Sequence, residues 1–262
     1  MRLNLMLVKN IKLVVKLSFV VCLTVFCSCQ FISEKQSTVN VADEKLNNLI
    51  DEFSKKLNEV NLSDSIAKKV NSVKYDCPDE GNAIPERIRE LNILKNRIQI
   101  PRENNFDLSI TIQKMLEAGN DINRWSNNKA VKIKAFVYDI KPGGIETCNC
   151  KSKEANQKDA HIELLLDPNN SSKNKRVVAE VTPRIREIMN LNGINWSTRS
   201  LRDKYLGRFV EIEGWLLFDI EHKNAAENTN PGRPRNWRAT AWEIHPITSI
   251  KLLDKNPNLF QK

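Results

Sequence analysis

The sequence predicts a mainly β domain with helical additions, built around five strands, and three observations predict it. Apolar and polar residues alternate in five separate runs between residues 129 and 254, and a period of two marks a strand with one buried face. The third and fourth runs are separated by helical stretches rather than by a turn. Three strands, a helical connection, then two strands is the order of a five-stranded OB-like barrel, whose closure removes the sheet edges. A half-open sandwich is the alternative.

The strands are read in order. Val131, Ile133, Ala135 and Val137 form the apolar face of the first, which ends at the turn Pro142-Gly143-Gly144. In DAHIELLLD, Ala160, Ile162, Leu164 and Leu166 share one face, while Asp159, His161 and Glu163 share the other. RVVAEV places Val177, Ala179 and Val181 opposite Glu180. Thr182-Pro183 then opens a helix, with proline at the first position where its missing N–H is harmless, and Asn192-Gly193 closes it. WSTRSLRDKYLG gives a second short helix ending at Gly207. RFVEIEGWLLFDIEH is the fourth strand, and residues 237–252 are the fifth. There Trp242 and Ile244 point to the core, so Glu243 and His245 point away from it.

Ahead of the barrel, residues 41–128 are expected to be helical. Leu46, Leu49, Ile50, Phe53, Leu57 and Val60 recur at three- and four-residue steps, one stripe of an amphipathic helix. A second helix is expected over 86–98, stopping before Pro101. A third is expected from the cap Asp107 to the stop Gly119. Residues 255–262 form a tail.

The first residues carry an address. MRLNLMLVKNIKLVVK holds four basic residues and no acid, and a short apolar run follows; this is the pattern of a secretory signal, here residues 1–28. Phe26-Cys27-Ser28-Cys29 resembles a bacterial lipobox, with Cys29 as the lipidated residue and 29–40 as a tether; plain secretion or an uncleaved anchor are the alternatives. An exported, lipid-anchored protein of the bacterial cell envelope is the expectation. Without the four signal cations, the 41 Lys and Arg fall to 37 against 32 acids, well short of a nucleic-acid footprint. The second and third strands hold no aromatic residue on which bases could stack, so sequence-specific nucleic-acid binding is not expected. Export favours disulfides, and Cys77 can pair with either Cys148 or Cys150.

If the third strand lies between the second and fifth, the outward faces meet. Asp159, His161, Glu180, Glu243 and His245 then share one surface, with Asp219 and His222 at the end of the fourth strand. All three histidines of the chain stand within three residues of a carboxylate, which suits a divalent metal or a general base oriented by an acid. Solvated cross-strand pairing is the plainer reading.

GGIETCNC, DAHIELLLDP, VVAEVTPRIRE, VEIEGWLLFD and NTNPGRPRNWRATAWEIHPITSI resemble a family of bacterial exported proteins and lipoproteins of unassigned function, a resemblance covering roughly residues 91–250. The resemblance singles out Asp159, His161, Glu180, Glu243 and His245 and implies no activity. The leading expectation is a binding module whose outer-face cluster takes a divalent metal or a small polar ligand. One alternative is a metal-dependent hydrolase with His161, His245 and Glu180 as ligands and Glu243 as base. The other is a structural envelope protein that meets a partner through its N-terminal helix.

Overall fold

The computed structural model describes residues 75–253, which lie within the second of the two units into which the chain divides, Lys68–Lys262. The signal segment, Cys29, the tether, the 41–70 stripe and the 255–262 tail lie outside the described residues. Among the described residues, no helix is long and apolar enough to cross a membrane.

Five strands close into a barrel: β1 (Ala130–Pro142), β2 (Ala160–Leu165), β3 (Val177–Val181), β4 (Phe209–Phe218) and β5 (Trp242–Leu252). The order around the barrel is β1-β2-β3-β5-β4, with β4 returning to β1. Every neighbouring pair is antiparallel except β3 and β5, which run parallel. Register sets the two faces. Ile140, Ile162, Ala179, Ile244 and Leu216 are successive partners around the barrel and are buried in its core. Lys141, His161 and Glu180 are partners one step along, and they look the other way. A bulge between Val137 and Asp139 resets the alternation, so that Val137 and Ile140 both turn inward. At Gly214 a Cβ would come within 2.5 Å of Ile244 and of the Pro246 carbonyl; only glycine lets β4 and β5 approach so closely.

The connection between β3 and β4 holds two helices, as expected. The first, Pro183–Leu191, is capped by the Thr182 hydroxyl, which accepts from the Ile185 N–H. The second, Thr198–Tyr205, is capped by Ser197 in the same way. Gly193 and Gly207, both at positive φ, follow them.

Before the barrel, α1 (Glu86–Lys95) is shorter than the expected 86–98. Asn96 leaves the helix because its side chain donates to the carbonyls of Asp79 and Cys148. The helix expected from Asp107 to Gly119 is confined to α2 (Ile112–Leu116), capped by Thr111. Asp107 instead accepts from the Ser109 N–H in a local turn, while its own N–H pairs with the Ala130 carbonyl. The β-branched run Ile110-Thr111-Ile112 gives the helix little help. With the Pro183–Leu191 helix as α3 and Thr198–Tyr205 as α4, the inventory of longer helices among the described residues is complete.

The ends of β4 and β5 carry the main departure from the sequence reading. β4 stops at Phe218 and β5 starts only at Trp242. Residues 219–241 leave the barrel and fold back over its outer face. Trp237 N–H donates to Ala225, Ala239 N–H donates to Arg176, and Asp121 receives the Thr240 hydroxyl and the Ala241 N–H. A second covering segment is 143–159, fixed by the Cys77–Cys150 disulfide, which leaves Cys148 as a buried free thiol. Gly81 seats it: this residue has φ +63°, and a Cβ there would lie 2.0 Å from the Thr147 oxygen. The outer face of β2, β3 and β5 is therefore an interior.

A buried candidate metal centre under the barrel's cover

Asp159, His161, Glu180, Glu243 and His245 come together, as the strand pairing requires. They face away from the barrel core, yet all five are buried, and His245 is wholly inaccessible. The expected solvated outer face is thus corrected: segments 219–241 and 143–159, with α1 behind them, exclude water from it.

Each imidazole is held through Nδ1 by a carboxylate. His161 Nδ1 lies 2.7 Å from Glu180 Oε1. His245 Nδ1 lies 3.0 Å from Glu243 Oε1 and 3.2 Å from Glu180 Oε2. His222 Nδ1 lies 2.6 Å from Asp219 Oδ2. A carboxylate on one ring nitrogen fixes the ring and frees the other nitrogen for a ligand, the arrangement that supports metal-binding histidines. Nε2 of His161 and of His245 are buried and have no partner among the described residues.

Among the described residues, ligating atoms lie within 4.8 Å of one another in two groups: Asp159–Glu180–His245 and Glu146–Cys148–Asp159. The trio His161, His245 and Glu180 does not converge in this way; Glu180 stands between the two rings and grips both. Nor is Glu243 free to act as a base. Its second oxygen accepts from Arg238 Nη2 at 2.9 Å, so both oxygens are engaged, one of them on His245.

Electrostatics follow from burial. Burial and the nearby Glu180 charge push Asp159 up to about 7, and its Oδ1 has no hydrogen-bond partner among the described residues. Burial alone would raise Glu180, but hydrogen bonds to His161 and His245 hold it well below the usual carboxylate range. Burial alone would lower the two histidines; their carboxylates outweigh it and raise His161 to about 9 and His245 to about 10. Burial pushes the Cys148 thiol well up.

Asp219 and His222 adjoin the cluster through two cations. Lys95 Nζ donates to Glu146 at 2.6 Å and stands 3.9 Å from Asp219; Arg238 Nη1 stands 3.7 Å from Asp219. Burial opposes the charge on Lys95, but Asp219 and Glu146 keep its pKa well above normal. Lys95, Arg238, Glu146 and Cys148 were not on the list of ligand positions drawn from sequence. Arg238 carried a signal, five residues before Glu243 in the same tryptophan-rich run. Lys95 carried none, since nothing local in α1 distinguishes it from a solvated lysine.

Counting charges shows what the interior lacks. Five carboxylates (Glu146, Asp159, Glu180, Asp219 and Glu243) share it with two permanent cations, Lys95 and Arg238. Three protons on the three histidines would balance them; so would one dication and one proton. A cavity of about 250 Å³ opens beside the cluster, lined by Lys141, Gly143, Gly144, His161, His222 and Trp237 among others. The class these features define is a closed mixed barrel with a buried carboxylate–imidazole centre under a covering layer. No family model matches the chain, and no curated protein matches it.

Proposed function

We propose that the protein is an exported, lipid-anchored binding module of the bacterial cell envelope, an OB-like barrel whose covered outer face holds one divalent metal ion. The ligands in this reading are Asp159, Glu180 and His245, with Glu243 orienting His245. The observation that carries it is the partnerless Asp159 Oδ1 beside Glu180 and His245. A buried carboxylate oxygen without a hydrogen bond is costly, and a dication answers that need at one point. Two oxygens and one nitrogen suit zinc or manganese. The basic and apolar start of the chain, followed by Cys29, supports export and anchoring. Hydrolysis with Glu243 as base is the weaker reading, because that carboxylate is already committed.

Elemental analysis of the full-length chain, purified in detergent and dialysed against zinc or manganese, tests the reading. About one ion per chain is expected, from the single centre and the pull of its unpaired ligands. Asp159→Asn and His245→Gln should each remove it while leaving the circular dichroism spectrum unchanged. A wild-type chain that takes up no metal overturns the function; variants that keep the metal overturn the ligand assignment.

A further inference from the structure

The cavity beside the metal ligands has a chemistry of its own. At about 250 Å³ it falls below the roughly 300–1,000 Å³ of drug-sized pockets, so its occupant is a small polar metabolite or an ion. Four carboxylates lie on its wall, and each is already engaged. Glu146 accepts from Lys95, Glu180 holds His161 and His245, Asp219 holds His222, and Glu243 accepts from Arg238 and holds His245.

What remains uncommitted is of the opposite kind. His161 Nε2 is buried without a partner among the described residues. His222 uses only Nδ1, so its Nε2 stays available on a half-buried ring. Arg238 donates Nε to Thr240 and Nη2 to Glu243; its Nη1 is 3.7 Å from Asp219, too far for a hydrogen bond. Lys141 stands at the wall, half-exposed; its ammonium already donates to Glu163 and has further hydrogens to give. Trp237 lies between the two imidazoles, 5.7 Å from His161 and 5.8 Å from His222 by ring centroids, and supplies an apolar surface.

We propose that this cavity is a phosphate pocket, with Arg238, His161, His222 and Lys141 around the anion and Trp237 against whatever organic group the phosphate carries. Permanent charge comes from the arginine and the lysine, and guanidinium is the side chain best matched to phosphate oxygens. The carboxylates behind the imidazoles favour their protonated form, so each ring turns an N–H toward a P–O⁻ oxygen. The pocket also stands independently of the metal, because none of these four groups is one of the proposed ligands.

Isothermal titration calorimetry on the full chain, treated with chelator, tests the proposal with inorganic phosphate, sulfate and phenyl phosphate. Saturable one-to-one phosphate binding is expected, with sulfate competing for the same site, since all four groups are donors. His222→Gln and Lys141→Met alter groups exposed enough to spare the fold, and each should weaken phosphate by about tenfold. Phenyl phosphate binding more tightly than phosphate supports a phosphomonoester as occupant; equal or weaker binding supports phosphate itself. Absent saturation, or indifference to both substitutions, overturns the pocket. Binding that appears only after metal is restored overturns the claim that these protein groups suffice.

Discussion

The barrel has two charged outer faces, and only one of them is covered. On the β1–β4 side, Lys132 pairs with Glu213 at 2.7 Å and Lys134 lies 4.0 Å from Glu211. On the β2–β3–β5 side, His161 pairs with Glu180 at 2.7 Å and Glu243 with Arg238 at 2.9 Å. His161–Glu180 is a cross-strand pair like those of the first face, whereas Arg238 reaches Glu243 from the covering segment. The lysine side chains of the first face are 40% and 53% exposed, whereas Arg238 is 1% exposed. A pair in water gains little from its attraction and is screened by salt. A pair out of water is tightly coupled, and losing one member strands the other. Charge pairing becomes a functional resource on this barrel only where a second layer of chain lies over it.

The comparison breaks most visibly at Arg238. Arg238→Ala leaves Glu243 buried with only His245 to answer it, and it removes one of the two permanent cations beside Asp219. A loss of about 3–5 kcal/mol in urea unfolding is expected. A loss below about 1 kcal/mol would mean that water reaches the covered face, and the two faces would then be energetically equal.

Acidity separates the faces next. In the metal-free chain, Glu163 is a group whose native pKa is depressed. Burial alone would raise it, but the His161 imidazole 3.7 Å away, the hydrogen bond from Lys141 and the Arg176 charge bring it to about 2. Its contribution is present above its unfolded value of about 4.3 and is lost as pH falls toward 2. His161 and His245 are raised, to about 9 and 10. Their contributions are full below the unfolded value of about 6.5 and are lost as pH rises through the folded values. Asp159, raised to about 7, penalises the fold as it ionises above about 4. Metal-free protein should thus be most stable near pH 4–6 by linkage. Saturating zinc, which displaces protons from Asp159 and His245, should move the maximum above pH 7. Urea midpoints from pH 3 to 9 measure both, and an optimum that zinc leaves in place would remove the link between metal and these two residues.

How much of this was legible in the sequence follows from the same contrast. Alternation revealed the strands and which side chains share a face, because a period of two is a local property. Thr182-Pro183 and Asn192-Gly193 revealed α3 for the same reason. The bulge after Val137 did not show, since nothing in Val137-Tyr138-Asp139 distinguishes it from regular strand. The five clustered acids and histidines were found through alternation and strand order together. Their burial was not, because it depends on residues 219–241, a stretch of mostly polar composition that reads as a solvated loop. Asp121, over a hundred residues away, receives the Thr240 and Ala241 hydrogen bonds that hold that stretch down. Cover of this kind is a long-range fact, and Cys77–Cys150 with Lys95 belongs to it.

The cover can be loosened without touching the cluster. Gly81→Ala places a Cβ against the Thr147 oxygen at a positive φ, so the 143–159 segment must shift. Stability should fall by roughly 1–3 kcal/mol, and metal uptake should fall with it, because Asp159 ends that segment. Unchanged uptake with lowered stability would show that the cover and the ligands are independent.

The smallest effect sets the baseline for all the others. A double-mutant cycle on Lys132 and Glu213, each replaced by alanine, should give a coupling of about 0.2–1 kcal/mol. It should shrink in 1 M salt, where the screening length is only about 3 Å. The same cycle on Arg238 and Glu243 should be several times larger and nearly indifferent to salt, since counter-ions do not enter the covered layer. Salt response is the sharper discriminator, because magnitude alone mixes attraction with the penalty of stranding a charge. Equal salt sensitivity in the two cycles would place both pairs in water, and the proposed metal ligands with them.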